Sequence, residues 1–549
     1  MSTDTPARLL ADELLRIQFE AEPLAATLRG IPGHDHELSD MSAGAAGELR
    51  AAMVDVAARA EALTGPDQSE EDRVTAAVIA QQAVALIDEL DAHLPEYTVT
   101  DLFVGPAARL LTFLPMVPVP DEGRAADYLA RLRAVPTFLA QSADRHRDGV
   151  AAGRVPVARL VRSSIAHLDR YLAADADPLL KSASPGVEDR VDVVADVVRP
   201  AFAEYRRVLV EEVERHGRGE DRPGLCWLPD GERMYAGLAK GHTTTDRTPA
   251  ELHQTGLDLI EALAEEYAEL GGRVFGTSDV PEVYRRMVTD EALRWTDAEE
   301  LLAAARTAIE RAEKLAPDWF GRLPGQSCRV EPIPAAEAPG APAAYYMAPS
   351  MDGLRPGTYY ANTDRAEERD RFIGEVTAFH EAVPGHHFQL TIAQGLTDLP
   401  LMRRLGGANA YTEGWGLYTE RLAEEMGLYS DDVSRLGMLA MDSLRAGRLV
   451  VDTGLHAKGW SRDQAVAFLR ENSPLSDLEI GNEVDRYTAY PGQALSYMVG
   501  RLEIQRLRAE SERRLGERFD IRAFHDVVLG GGALPLTVLA DVVGRYQPA

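Results

Sequence analysis

Apolar residues recur at three- and four-residue intervals along most of this chain, and that period predicts helix. In "EEDRVTAAVIAQQAVALIDELDAHL" (70–94) and "GRAADYLARLRAVPTFLAQSADRH" (123–146) the apolar positions form one stripe, with helix-favouring Ala, Leu, Glu and Arg between them. "TPAELHQTGLDLIEALAEEYAEL" (248–270) adds a start signal, with Thr248 as N-cap and Pro249 at the first helical position. The period changes in one place. "AAYYMAPSMDGLRPGTYYANT" (343–363) carries two aromatic runs around Asp352-Gly353 and Pro356-Gly357, which are turn formers, and predicts a hairpin. The fold class is therefore mainly α with a small β-sheet.

Two stretches read as connections. "PIPAAEAPGAPAA" (332–344) predicts a surface segment, and "GRGEDRPGL" (217–225) a linker. The linker divides a helical N-terminal region, 1–220, from 221–549, which holds the hairpin and every candidate site. "LGGGALPL" (529–536) lacks the lysine of a phosphate loop and reads as a helix cap followed by a new start.

At 549 residues the chain is too long for a single core. A formal net charge of −30 excludes nucleic acid as an expected partner, because duplex binding draws on a basic surface. The N-terminus has neither a basic nor an apolar leader pattern, and no segment has 18 unbroken apolar residues, so the expectation is a cytoplasmic protein with no membrane span. Cys226 and Cys328 match no metal-knuckle spacing and are expected to be reduced structural thiols.

The chemistry concentrates in "TAFHEAVPGHHFQL" (377–390), which holds three of the chain's 13 histidines. His380 and Glu381 open it as the zinc-peptidase pattern H-E-x-x-H does, but Pro384 stands where the second histidine belongs. Phe372, Ile373, Val376, Phe379 and Val383 lie on one helical stripe, so the expectation is a zinc helix over 370–392. Pro384 lacks an N–H and its ring presses on the carbonyl of His380, so a kink or bulge is predicted there, which Gly385 permits. The bulge favours His386 as the second ligand, with His387 as the alternative. Catalytic zinc takes three protein ligands, and a non-ligand Glu beside the first histidine suits a general base, here Glu381. The third ligand is expected from "AYTEGWGLYTERLAEEMG" (410–427), where Gly414 and Gly416 weaken a helix over 408–427 for no local gain. Close approach to another helix accounts for them and leaves Glu413 facing the histidines.

"HEAVPGHHFQ", "TEGWGLYTE", "RLVVDTGLHAKGWS" and "RYTAYPGQALSYMVGRLEI" together resemble the bacterial family known as domain of unknown function 885. That family is grouped with the gluzincin metallopeptidases, and the second motif is also similar to the glutamate helix of angiotensin-converting enzyme and the oligopeptidases. The resemblance implies a two-lobed helical fold around a deep cleft, roofed by 1–220. It also implies one Zn2+ per chain on His380, His386 and Glu413, with Glu381 as base. Relatives of this architecture stabilise the oxyanion with tyrosine or histidine, which makes Tyr490, Tyr497 and His456 candidates. Asp452 and His456, four apart on one helical face, suit an oriented imidazole near the site. Pro491 is expected to start a helix, with Tyr487 and Tyr490 before it and Tyr497 two turns inside. Arg486 suits a substrate carboxylate, and Tyr487, Asp452 and Tyr346 of the hairpin join it as expected substrate-binding residues.

The function expected is hydrolysis of an amide bond in a short peptide or peptide-like substrate, as in a carboxypeptidase. The alternatives are an amidohydrolase acting on a small-molecule intermediate and a catalytically silent helical binding protein.

Overall fold

The computed structural model describes residues 5–181, 183–334, 338 and 341–547. Helix takes 69% of the chain, so the mainly helical expectation holds. The three stretches singled out by period form helices Glu70–Asp91, Glu122–Ala151 and Pro249–Phe275. Thr248 caps the last of these in a full capping box with Glu251, and Gly276 ends it in the left-handed region.

The predicted hairpin is present as β2 (Ala344–Met347) antiparallel to β3 (Thr358–Ala361), pairing Tyr345 with Tyr360 and Tyr346 with Tyr359. A third strand, β1 (Arg329–Pro332), pairs parallel with β3, giving the order β1-β3-β2. Its four residues include Glu331 and Pro332, too short and too polar to show the alternation that marks a strand. Part of the 332–344 connection lies outside the described residues.

A single cut at 220 does not separate two cores. Leu10, Leu14, Met53, Val56, Val74, Val78 and Ile79 from the first helices pack in the same apolar cluster as Leu252, Phe379, Trp415 and Leu439. A second cluster is built almost wholly from 99–213. The expected linker is also tied down: Leu225 N–H donates to His456 Nδ1 at 3.1 Å, and a Cβ on Gly224 would lie 1.8 Å from the Leu455 carbonyl oxygen.

Helix Asp432–His456 runs through the main core, and nearly every residue from Leu436 onward is buried, charged ones included. Helices Asn409–Glu425 and Ser496–Leu515 cross where Gly414 meets Gly500: a Cβ on Gly414 would lie 2.4 Å from the Gly500 Cα. Among the described residues no helix is long and apolar enough to cross a membrane.

Candidate metal centre

The histidine segment is two helices, not one bulged helix. Gly374–Glu381 ends at Ala382, whose ψ of −97° leaves the helical region, and His386–Gly395 begins after Gly385. The Val383–Pro384 peptide is cis. Proline's missing donor and its steric demand explain the break, and two contacts hold it. The Trp415 indole N–H donates to the Pro384 carbonyl at 2.9 Å, and a Cβ on Gly385 would lie 1.8 Å from the His380 carbonyl oxygen.

The break brings His386 back beside His380, ring centroids 4.6 Å apart. Glu413 approaches from helix Asn409–Glu425, its Oε2 lying 3.3 Å from His386 Nε2 and 3.6 Å from His380 Nε2. Helix crossing is close because Gly416 sits against the imidazole: a Cβ there would lie 2.8 Å from His380 Cε1. The two glycines of "EGWG" thus serve different neighbours, Gly414 a third helix and Gly416 the ring itself.

His380 Nδ1 lies 2.7 Å from Glu420 Oε1, and Glu420 is completely buried. A carboxylate only accepts, so Nδ1 carries a proton, and Nε2, which faces Glu413, is left to take a second proton or a cation. Sequence reading missed Glu420, although it stands seven residues beyond Glu413 and so shares its helical face. Burial acts to lower the His380 pKa, but Glu413 and Glu420 outweigh it and raise it to about 10. Burial acts to raise that of Glu413, but His386 and His380 hold it well below the ordinary carboxylate range. These carboxylates demand positive charge among them, and a divalent cation answers that demand as well as a proton does.

The fit to a metal ion can be tested on distances. Ligand atoms at about 2.0–2.1 Å around a tetrahedral zinc stand about 3.3 Å from one another. The two histidine–glutamate separations, 3.3 and 3.6 Å, match that edge. Ligand atoms of His380, Glu381 and His386 also lie within 4.8 Å of one another. Glu381 is half-buried, and its charge adds to the burial that pushes the Cys328 thiol up to about 12, which puts it on the side of the sheet.

His387 is turned elsewhere. The Tyr346 hydroxyl donates to its Nδ1 at 2.9 Å, and its Nε2 donates to the Gln326 carbonyl at 2.9 Å. Both ring nitrogens are engaged, which leaves His386 as the second cluster histidine. Tyr346 is brought to the site's edge through that bond.

Of the supporting residues, Tyr497 is brought to the cluster, its ring stacked on His380 at 6.4 Å and 23°. It is the second residue of helix Ser496–Leu515, not two turns inside a helix, because Pro491 begins a turn with Gly492 in the left-handed region. Arg448 lies 4.6 Å over the Tyr497 ring, and Arg486 Nη2 donates to its hydroxyl at 3.2 Å. Tyr490 caps helix Asp477–Ala489 and packs edge-on against His242 and Phe103.

Three expectations are corrected. Tyr487 is fully buried inside helix Asp477–Ala489, its hydroxyl donating to Glu483, so it offers nothing to a ligand. His456 is buried with Nδ1 accepting from Leu225 N–H and Nε2 donating to the Tyr487 carbonyl at 2.9 Å, and burial lowers its pKa to about 4. It is a neutral structural strut with no nitrogen left for an oxyanion. Asp452 does not orient it: Asp452 accepts from the Tyr235 hydroxyl at 2.6 Å and from Gly492 N–H at 3.1 Å. Four-residue spacing put the two on one face, but other elements claimed each partner first.

Fold and cluster define a mainly helical protein with a buried histidine–glutamate site suited to a divalent cation. Residues 23–543 match the family described as bacterial protein of unknown function, DUF885, and the chain belongs to that family. No curated protein is significantly similar. Among solved structures, a candidate lipoprotein from Colwellia psychrerythraea matches with a TM-score of 0.90 at 26% identity, over 99% of both chains. A candidate lipoprotein of unknown function from Shewanella oneidensis matches with a TM-score of 0.78 at 18% identity, over 99% of this chain and 100% of that one, and shows the fold alone.

Proposed function

We propose that the chain is a zinc-dependent hydrolase that cleaves an amide bond in a short peptide or peptide-like substrate, on a gluzincin-like two-lobed fold. One observation carries the reading: Glu413 Oε2 lies 3.6 Å from His380 Nε2 and 3.3 Å from His386 Nε2, close to a tetrahedral ligand edge, and ligand atoms of both histidines and Glu381 lie within 4.8 Å of one another. A zinc ion held there would polarise the substrate carbonyl and acidify a water molecule. Glu381 takes the proton of the attacking water and returns it to the leaving amine. Tyr497, beside His380 and clamped by guanidinium groups, donates to the developing oxyanion. Strand β2 lies at the sheet's edge, where an extended substrate backbone can pair.

Glu381 argues against a silent binding protein, because a pure binding site has no use for a base at that position. Metal analysis of purified protein together with a hydrolysis screen of dipeptides, short peptides and acylated amino acids tests the reading. About one zinc per chain and metal-dependent cleavage are expected; a metal-free, inert protein rules it out. The cytoplasmic location read from the sequence stands against the description of the two similar structures as candidate lipoproteins, and cell fractionation distinguishes the two.

A further inference from the structure

Tyr497 stands at one end of a continuous wall of side chains that leads away from the cluster to solvent. Arg486 Nη2 donates to the Tyr497 hydroxyl at 3.2 Å and to Gln493 Oε1 at 2.9 Å. Tyr490 follows one turn later, its backbone N–H bonded to the Arg486 carbonyl. The Tyr490 ring meets His242 edge-on at 5.3 Å and Phe103 at 6.2 Å and 88°. Phe103 in turn meets Phe113 at 6.0 Å. The wall therefore joins residues beside the cluster to two phenylalanines of the N-terminal region.

The rings are uncharged at neutral pH, since burial pushes the Tyr490 phenol up to about 12 and lowers His242 to about 4. Phe103 is nonetheless 46% exposed, an apolar face left open on the far side of the Tyr490 ring from the cluster. Arg486 shares its counter-ion with a second arginine. Its Nη1 lies 3.5 Å from Glu483, which is shared with Arg448 at 2.8 Å, and its Nε has no hydrogen bond among the described residues. An open aromatic face joined through Tyr490 to a guanidinium whose Nε is unbonded is complementary to a bulky apolar group that carries a carboxylate.

We propose that Phe103, Phe113, Tyr490 and Arg486 form a specificity subsite for the C-terminal residue of the substrate, an aromatic or large aliphatic residue with a free carboxylate. The orientation rests on the amide-hydrolase reading: with the carboxylate at Arg486, the preceding amide extends past Tyr497 toward His380, His386 and Glu413. The N-terminal region then selects the substrate and does not merely cover the site.

Calorimetric titration of the Glu381→Gln protein with N-acetyl-L-phenylalanine, N-acetyl-L-alanine and N-acetyl-L-phenylalaninamide tests this without turnover. The aromatic acid is expected to bind at least about tenfold tighter than the other two. Phe103→Ala should abolish the preference for phenylalanine over alanine, and Phe103→Trp should restore it; the exposure of Phe103 leaves both variants able to fold. Equal binding of the three ligands, an unchanged preference in Phe103→Ala, or no binding by folded protein overturns the subsite. If the preferences hold and the wild-type protein cleaves no amide, the subsite stands and the hydrolase reading falls. Cleavage without any preference has the opposite meaning.

Discussion

His380 and Glu420 are joined by a 2.7 Å hydrogen bond in the fully buried interior, two helical turns from the point where Glu413 meets the same ring. One helix therefore fixes both faces of the imidazole, its tautomer from Glu420 and its partner from Glu413. Replacing Glu420 with Gln keeps the shape and weakens the acceptor. The expected result is metal binding weaker by about 10–100-fold with all ligands present, measured by competition with a chromogenic chelator. Unchanged affinity would make Glu420 a packing residue.

Ligands and base should separate cleanly. His380→Ala and Glu413→Ala are expected to lose the metal, while Glu381→Gln keeps it and loses turnover by orders of magnitude. Elemental analysis beside steady-state rates reads both. Loss of metal in Glu381→Gln would assign Glu381 to the ligand set instead.

Gly416 has no room for a side chain, because a Cβ would lie 2.8 Å from His380 Cε1 and 2.9 Å from its Nε2. Gly416→Ala should displace the ring, lower the melting temperature and reduce metal content. Gly272 offers the contrast: it lies in helix Pro249–Phe275 with nothing within 4 Å of its Cβ position. Gly272→Ala is expected to stabilise by about 0.5–1 kcal/mol without touching the metal.

Deleting Pro384 and Gly385 restores the ordinary four-residue histidine spacing on paper. It also removes the carbonyl that Trp415 pairs with and the turn packed on the His380 carbonyl. The deletion is therefore expected to lose metal and activity, and Trp415→Phe, which leaves the buried Pro384 carbonyl unpaired, to cost about 1–3 kcal/mol in denaturant unfolding. A fully active deletion would show that the break is incidental.

Asp452 gives a pH signature. Burial raises its pKa from 3.8 to about 7, against the hydrogen bonds from Tyr235 and Gly492. A carboxyl with a raised folded pKa binds more protons folded than unfolded, so its effect destabilises progressively as pH rises from about 4 to 7. Asp452→Asn removes that slope. Relative to the variant, the wild-type melting temperature should fall across this window, and parallel curves would refute the buried-acid account.

The sequence by itself determined the elements and the residue types of the candidate site. Helical period, the Thr248 cap and the aromatic hairpin are local properties, set by backbone sterics and side-chain spacing within a few residues, and they emerge where the chain predicts them. His380, Glu381 and the proline break are equally local, because Pro384 acts on the carbonyl one turn back. Tertiary structure decided what depends on distant partners. It chose His386 over His387 by giving the latter Tyr346 and Gln326, and it set Glu420 against His380. It also turned Asp452 and His456 to separate partners despite their shared face. Spacing along a helix fixes which way a side chain leaves the backbone. Which group it meets is fixed only by the segments that pack there, from 40 to 231 residues away in the chain.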